Sequence, residues 1–459
     1  MPFWGRVQEQ KKINNMLAKN SQEVALIYGR RRVGKSELIK ECLRNSSLQA
    51  VYYECKQTTE MNNVESLAEL ISEAFALPPL AFKNIEDILE FFFKQAQRTP
   101  LILVLDEYPY LREAVKGMDS ILQSLIDKYK DISQLKLIIC GSYVDTMRSL
   151  LLLHNPLFGR VSLTIDLKPM NYRESALFYS SFSDEDKVRL YSVFGGIPYY
   201  NRLIDAEKSV QENIIELVAS PGARLEMEIS MYLKSELAKI TNANEVFETL
   251  AKGFSRYSDI LAQSHISSGP TLIDVLERLI KMEVVSKIAP INDEKNKKKT
   301  GYYISDNLSL FYYKYVFRYM SQLSVMQPGI FYERYIAQDF ETDHVPHIFE
   351  EVCRQYLIEQ NKQGLLAEPF EKIGRYYYDD SVHKTNGEFD IVTQDVKGYA
   401  FYEAKFRKNP VTQQMIEEEI AQVQRTQMPC YKYGFFSRSG FADVQLDNVQ
   451  LIGLEELYK

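Results

Sequence analysis

One octapeptide constrains this chain more than any other feature. Gly29-Arg30-Arg31-Arg32-Val33-Gly34-Lys35-Ser36 satisfies G-x-x-x-x-G-K-[ST], with a β-rich apolar run at 24–28 before it and a helical pattern opening at Ser36-Glu37-Leu38 after it. A strand, a glycine-bounded loop and a helix N-terminus in that order make a phosphate cradle. The glycines let backbone N–H groups turn inward, so Gly29, Arg30, Arg31, Arg32, Val33 and Gly34 are expected to wrap an anion in amides. Lys35 supplies a cation for the outer phosphate oxygens, and Ser36 a hydroxyl for a divalent metal. Glu37 belongs to the first helical turn, where the positive end of the helix dipole meets the anion.

A cradle that works with a metal needs a carboxylate from a second strand. The apolar run at 101–105 ends in Asp106-Glu107, and Tyr108-Pro109 stops it, because proline lacks the N–H a strand requires. Asp106 is expected to hold the metal through water, and Glu107 to orient and polarise an attacking water. A run at 135–140 ends in Gly141-Ser142, which puts Ser142 at the same sheet edge as a sensor of hydrolysis. With runs at 50–54 and 161–167, these make five expected strands separated by helical patterns, an α/β doubly wound layout.

These motifs, with Phe3-Trp4-Gly5-Arg6, Glu9, Leu157-Phe158-Gly159-Arg160 and Gly195-Gly196-Ile197-Pro198-Tyr199, resemble the AAA+/STAND side of the P-loop ATPases. In particular they resemble a prokaryotic ATPase family whose members carry a nuclease-like domain at the C-terminus. The resemblance implies a P-loop NTPase parallel sheet that binds ATP with Mg²⁺. It places Gly5 and Arg6 near the adenine and Pro198 against the base. It makes Arg160 the candidate arginine for the γ-phosphate, in cis or from a neighbouring subunit, and the second case implies a homo-oligomer.

At 459 residues the chain suits about three domains, expected at 1–170 (P-loop ATPase), 171–330 (helical lid and winged helix) and 331–459 (nuclease-like). No apolar run approaches the roughly 18 residues of a membrane span, and no charged-then-apolar leader opens the chain. A cytoplasmic protein without a membrane partner is therefore expected. Five scattered cysteines lack paired spacing, which argues for reduced thiols and against structural zinc. A net charge of −7 restricts any nucleic-acid contact to local surfaces.

The middle of the chain reads as helical. The stretch 205–230 is amphipathic but poorly capped, with a break at Ser220-Pro221-Gly222. Patterns at 245–252, at 257–261 and from Gly269 to Lys281 read as three helices, the third with Leu272, Ile273, Val275, Leu276, Leu279 and Ile280 as its apolar stripe. Strands at 284–289 and 300–305 follow around a lysine-rich tip, the layout of a winged helix. Two roles fit. The third helix and Lys297, Lys298 and Lys299 bind DNA through groove and phosphate. Alternatively the module is a lid and protein contact, which Asp274 and Glu277 on the third helix favour. His344 and His347 have no third ligand nearby and read as core or surface histidines.

The C-terminal third holds a second constellation. Segments 387–392 and 399–405 alternate as strands, and Glu403 and Lys405 share a face because strand side chains repeat every two residues. Asp390 stands at hairpin distance from them. Two carboxylates for a hard divalent cation, with a lysine to position or deprotonate water, are the parts of metal-assisted hydrolysis. Glu388-Phe389-Asp390 with Glu403-Ala404-Lys405 resembles the PD-(D/E)XK, or restriction-endonuclease-like, superfamily, with Phe389 where the motif name has proline. The resemblance covers roughly 335–459 and implies an α/β fold. It also implies a preceding helix whose Glu350 adds a carboxylate, and a second cation, Mg²⁺ or Mn²⁺, at Glu350, Asp390 and Glu403. Lys405, Arg407, Lys408, Arg425, Lys432 and Arg438 offer a local basic patch to nucleic-acid phosphate. Two functions stand open: an ATP-driven switch controlling nuclease-like attack on nucleic acid, and a nucleotide-regulated binding protein whose C-terminal domain is catalytically silent.

Overall fold

A computed structural model describes residues 3–229, 242–380, 385–426 and 428–459. The chain divides into two compact units, Met1–Met170 with Ile197–Tyr199, and Asn171–Gly196 with Tyr200–Lys459.

The first unit is built on five parallel strands: β1 (Glu23–Tyr28), β2 (Gln49–Glu54), β3 (Leu101–Asp106), β4 (Leu135–Gly141) and β5 (Leu163–Asp166). They fall on the five expected runs. Every residue of β1, β3 and β4 is buried. Such strands are apolar without alternation because helices cover both sheet faces. Leu26, Leu103 and Ile139 pack with Leu67, Ile88 and Phe92 on one side, while Ile27, Val104 and Ile138 pack with Ile13, Leu38 and Ile39 on the other. Lys136 on β4 is the polar exception. It is fully buried, and its Nζ donates to the carbonyls of Lys19 (2.6 Å) and Ser21, which satisfy it where water cannot.

The strand order is β2-β3-β4-β1-β5. From β1 the chain runs to the β2 edge, returns through β3 and β4, and then passes beyond β1 to β5. The loops after β1 and β4 therefore diverge, and this is where an open α/β sheet forms its ligand crevice.

In the second unit the helix Val210–Leu217 is well capped, contrary to the sequence reading. Ser209 accepts the Glu212 N–H (3.2 Å) and the Glu212 carboxylate accepts the Ser209 N–H (2.8 Å), a capping box legible as S-x-x-E. The last residue of the expected 205–230 stretch lies outside the described residues. Helices Ala243–Ala251, Tyr257–Gln263 and Gly269–Lys281 lead into an antiparallel hairpin, β6 (Val285–Ile288) and β7 (Gly301–Ile304). Leu272, Val275, Leu276 and Leu279 are buried, whereas Ile273 is exposed because the buried stripe is narrower than the run of apolar residues.

A second sheet pairs β8 (Lys372–Asp380), β9 (Thr385–Asp395) and β10 (Gly398–Lys405) antiparallel. Short strands β11 (Val411–Thr412) and β13 (Phe441–Ala442) pair with each other. The helix Gln413–Arg425 returns the chain to β12 (Cys430–Ser437), parallel to β10, and β14 (Val449–Gly453) adds to β12, giving the order β14-β12-β10-β9-β8. The hairpin tip is not simply solvated. Ile291 N–H donates to the Arg375 carbonyl (2.8 Å), and Asn292 bonds Tyr377 through both backbone groups, so the tip lies along the outer edge of β8.

Candidate functional site

The loop between β1 and the helix Lys35–Arg44 depends on two glycines. A Cβ at Gly29 would fall 2.2 Å from the Leu167 carbonyl oxygen, and Gly34 has φ +95°, a region that disfavours side chains. Lys35 is buried, and its Nζ donates to the carbonyls of Gly29 (2.9 Å) and Arg30 (3.0 Å) and to Ser142 Oγ (3.0 Å). Burial draws its pKa down, against the opposing charges of Glu107 and Asp106.

Three strand ends meet at this lysine. Ser142, after β4, donates from Oγ to Glu107 Oε1 (2.6 Å), so one hydroxyl links the lysine to the glutamate after β3. Glu107 holds φ 50°, and this left-handed turn bends the chain into the helix Tyr108–Ala114. Next to this line, Ser36 Oγ donates to Asp106 Oδ2 (2.6 Å). Tyr52 on β2 donates to the same oxygen, and the Glu107 N–H donates to Oδ1 (2.9 Å). Burial works to raise the Asp106 pKa, but these donors outweigh it and hold the carboxyl below its usual range. A hydroxyl in contact with a buried carboxylate is the oxygen donor set Mg²⁺ takes, so Ser36 and Asp106 fit that ion. Tyr52 was missed by sequence reasoning. Its role depends on the β2–β3 register, in which Glu54 pairs with Asp106.

The segments assigned to the base also converge. Gly5 and Arg6 take successive left-handed turns (φ 69° and 59°), and the buried Arg6 guanidinium donates to the carbonyls of Val33 (3.3 Å) and Lys168 (2.6 Å). Pro198 Cγ is 3.7 Å from where a Gly34 Cβ would sit, and Arg32 lies over the Tyr199 ring at 4.1 Å. Arg31 donates to the Tyr143 hydroxyl (3.3 Å), Arg30 is buried and Glu37 is exposed. Arg160 forms a two-pronged pair with Asp127 (2.8 and 2.7 Å) and donates to the carbonyls of Pro156 and Phe158.

The C-terminal cluster is assembled differently. On β9 and β10 the last cross-strand pair is Ile391 with Tyr402, and the next residues on each strand toward that end are Asp390 and Glu403. On the other side β9 bulges. Gly374 pairs with Val392 and Tyr376 with Phe389, so Asp390 and Ile391 together oppose the single residue Arg375. A bulge of this kind re-aims a side chain. Arg375 Nε lies 3.4 Å from Asp390, and its guanidinium covers the Tyr303 ring at 4.2 Å. Lys405 bridges Glu403 (2.7 Å) and Glu419 (2.8 Å). Glu350 stands on the helix Val345–Lys362, beside His347 (3.6 Å).

Burial, then the Glu350 charge, pushes Asp390 up to about 6. Burial pushes Glu403 up to about 7, Lys405 opposing and Glu419 and Glu350 adding. Burial lowers the Lys405 pKa, yet Glu403 and Glu419 raise it more. Asp390 and Glu403 thus both feel the Glu350 charge, and by donor type the three acids suit a hard divalent cation. Among the described residues, no three His, Cys, Asp or Glu side chains stand converged as a metal shell. Arg375 and Glu419 were not anticipated, since only the bulge and the helix packing bring them in. Arg438 leaves the expected basic patch. It is nearly buried, paired with Glu185 and Glu341, and covers the Phe406 ring at 4.8 Å.

Comparison with known proteins bears on both parts. Residues 3–203 match a family described as an ATPase domain predominantly from Archaea, and residues 312–421 match one described as archaeal and bacterial proteins of unknown function. The chain is 28% identical over 380 residues to the uncharacterized protein MJECL04 of Methanocaldococcus jannaschii, covering 82% of each chain. Among solved structures it resembles the Walker-type ATPase PABY2304 of Pyrococcus abyssi, with a TM-score of 0.51 and 18% identity, covering 68% of this chain and 96% of that one. The ORC2 protein of Aeropyrum pernix, solved as ADPNP–ADP complexes, aligns with a TM-score of 0.49 and 13% identity, over 68% of this chain and 93% of that one. The chain therefore carries an ATPase-type domain with the P-loop α/β fold. No described helix is long and apolar enough to cross a membrane.

Proposed function

We propose that the chain is an ATP-hydrolysing switch, and that it governs a PD-(D/E)XK-type centre that cuts nucleic acid. The observation that carries the first half is the unbroken line Lys35–Ser142–Glu107 across the ends of β1, β4 and β3, with Ser36 on Asp106 beside it. In this reading the Gly29–Gly34 amides and Lys35 bind the phosphates, and Gly5, Arg6 and Pro198 hold the base. Glu37 lends its helix turn. Glu107 takes a proton from the attacking water, and Ser142 reports the change through Lys35. Mg²⁺, when held by Ser36 and Asp106, neutralises charge on the transferred phosphoryl group. Arg160 serves the γ-phosphate, in cis or across a homo-oligomer, by giving up Asp127.

The second half rests on the order helix, β8, β9, β10, helix, β12, with Asp390 and Glu403 just past the last β9–β10 pair and Lys405 on the Glu403 face. Glu350, Asp390 and Glu403 would hold Mg²⁺ or Mn²⁺, which activates water at a phosphodiester. Lys405, already bonded to Glu403, positions that water. In this reading the module 243–304 is a winged helix that serves as a protein contact and not as a DNA reader, a role supported by its tip bonding to β8 and by Lys299 pairing with Asp293 (2.9 Å). The parts correspond to 1–170, 171–330 and 331–459, and the cytoplasm is the expected setting.

A second reading, a nucleotide-regulated binder with a silent C-terminal domain, is favoured by one feature: Lys405 and Arg375 already compensate the two acids. Incubating full-length protein with plasmid or single-stranded DNA and Mn²⁺, with and without ATP, separates the readings. Cleavage lost in Asp390→Ala and Lys405→Ala supports the nuclease. Cleavage that persists in both, or none in the wild type, leaves the binder.

A further inference from the structure

The second unit contains a cavity of about 460 Å³ that the proposed chemistry does not use. Two π-helical turns line it, Tyr312–Val316 and Phe340–His344. π-Turns are rare and concentrate at functional sites, because the extra residue pushes side chains out of the helical repeat. Here the two turns face each other and are clipped by Lys314 on Asp343. Behind them, His344 bonds the Ser192 carbonyl at 3.0 Å and packs on Phe340 and Phe311, giving the cavity a rigid neutral wall.

The mouth is chemically distinct. Tyr319 and Tyr335 lie with ring centroids 4.4 Å apart, and both are partly exposed. Arg318 covers the Tyr319 ring at 5.5 Å and, among the described residues, pairs with no carboxylate. The acids facing the cavity are largely matched. Glu248 pairs with Lys252 (2.8 Å), Asp343 pairs with Lys314, and Asp339 lies 4.0 Å from that lysine. A pair of tyrosine rings tilted by 32° to each other, an unmatched guanidinium and hydrogen-bonding carboxylates suit an aromatic base carrying a phosphate, and the volume suits one nucleotide. His347, also lining the cavity, is the residue in contact with Glu350.

We propose that this cavity binds one nucleotide, its base on Tyr319 and Tyr335 and its phosphate at Arg318, on the side of the Asp390–Glu403 cluster reached through His347 and Glu350. The proposal deepens the nuclease reading and rests on it only for the direction of the strand. A nucleotide could arrive free or as one unit of a single strand, and the two sources bind by the same chemistry.

The test uses full-length Lys35→Ala protein, which removes phosphate-loop binding. It is titrated with AMP and UMP, and with a fluorescein-labelled oligothymidylate of roughly 12 nucleotides followed by anisotropy. Arg318→Ala and Tyr335→Ala are expected to weaken binding about ten-fold or more, with Tyr335→Trp restoring it. Loss with the monophosphates identifies a free nucleotide, and loss with the oligonucleotide alone identifies a strand. Both support the site. Unchanged affinity for every probe in Arg318→Ala, whose side chain is exposed and safe to truncate, overturns it. Binding intact in a chain that cleaves nothing supports the pocket and counts against the nuclease reading alone.

Discussion

Asp106 and Glu403 are both acids near the end of a strand, and their surroundings treat them in opposite ways. Asp106 receives hydrogen bonds from Ser36, Tyr52 and the Glu107 amide and is kept ionised. Burial pushes Glu403 up to about 7, with the Glu419 and Glu350 charges adding to it and the bonded Lys405 opposing. The first site is organised by donors before anything binds. The second gives each acid a cation, Lys405 on Glu403 and Arg375 on Asp390, yet burial still makes both carboxyls hard to ionise. A preorganised site shows its chemistry in its geometry, whereas a buried acid cluster shows it in displaced titration.

The largest effect expected on the first side of this contrast is on turnover. Lys35→Ala and Glu107→Gln should each lower ATP hydrolysis by about 100-fold or more while leaving the circular dichroism spectrum unchanged. Turnover equal to the wild type in both variants would show that the Lys35–Ser142–Glu107 line does not carry hydrolysis.

The second expectation concerns pH. Glu403 stays protonated in the folded chain up to about pH 7, while the unfolded chain releases that proton near 4.5. Between those values the folded state binds more protons, so stability falls as pH rises and the loss is complete above about 7. Asp106 has the opposite sign, since its lowered pKa gives stability that is lost only as pH falls below the usual carboxylate range. Allowing for partial exposure, the Glu403 contribution is about 2 kcal/mol. Denaturant unfolding from pH 5 to pH 7.5 should show it in tyrosine fluorescence, and Glu403→Gln should flatten the slope. Trp4, the single tryptophan and a member of the first unit, should report little change across this range.

Tyr52→Phe sharpens the comparison by taking one donor from Asp106. A cost of about 1 kcal/mol and a several-fold rise in the Mg²⁺ needed for half-maximal ATPase rate are expected, the latter read from a metal titration. The smallest change should come from Glu419→Gln, which leaves Lys405 to Glu403 alone. It should lower the Glu403 titration point by a fraction of a pH unit, measurable by carboxyl NMR.

The five strands of the first sheet could be read from the chain because burial on both faces writes itself as uninterrupted apolar runs, and the loop because its spacing is local. Tyr52 could not, since its link to Asp106 is set by strand register across 54 positions. Nothing in the one-letter pattern reports the bulge that sets Asp390 and Ile391 against Arg375, so the acid pair was visible and its cationic partner was not. The Ser209–Glu212 capping box was legible and was overlooked. Arg438 looked like a surface cation, and only folding shows it committed to Glu185 and Glu341.

The strip of chain around Ile291 and Asn292 sits on β8, the outermost strand of its sheet. Cutting the protein at 331 to study the C-terminal domain alone would strip that cover and leave open amides ready to recruit a second molecule. Such a fragment should self-associate, and its loss of solubility or gain of partners would be an artefact of truncation. Assays of the Asp390 cluster are best run on a piece that begins before 243.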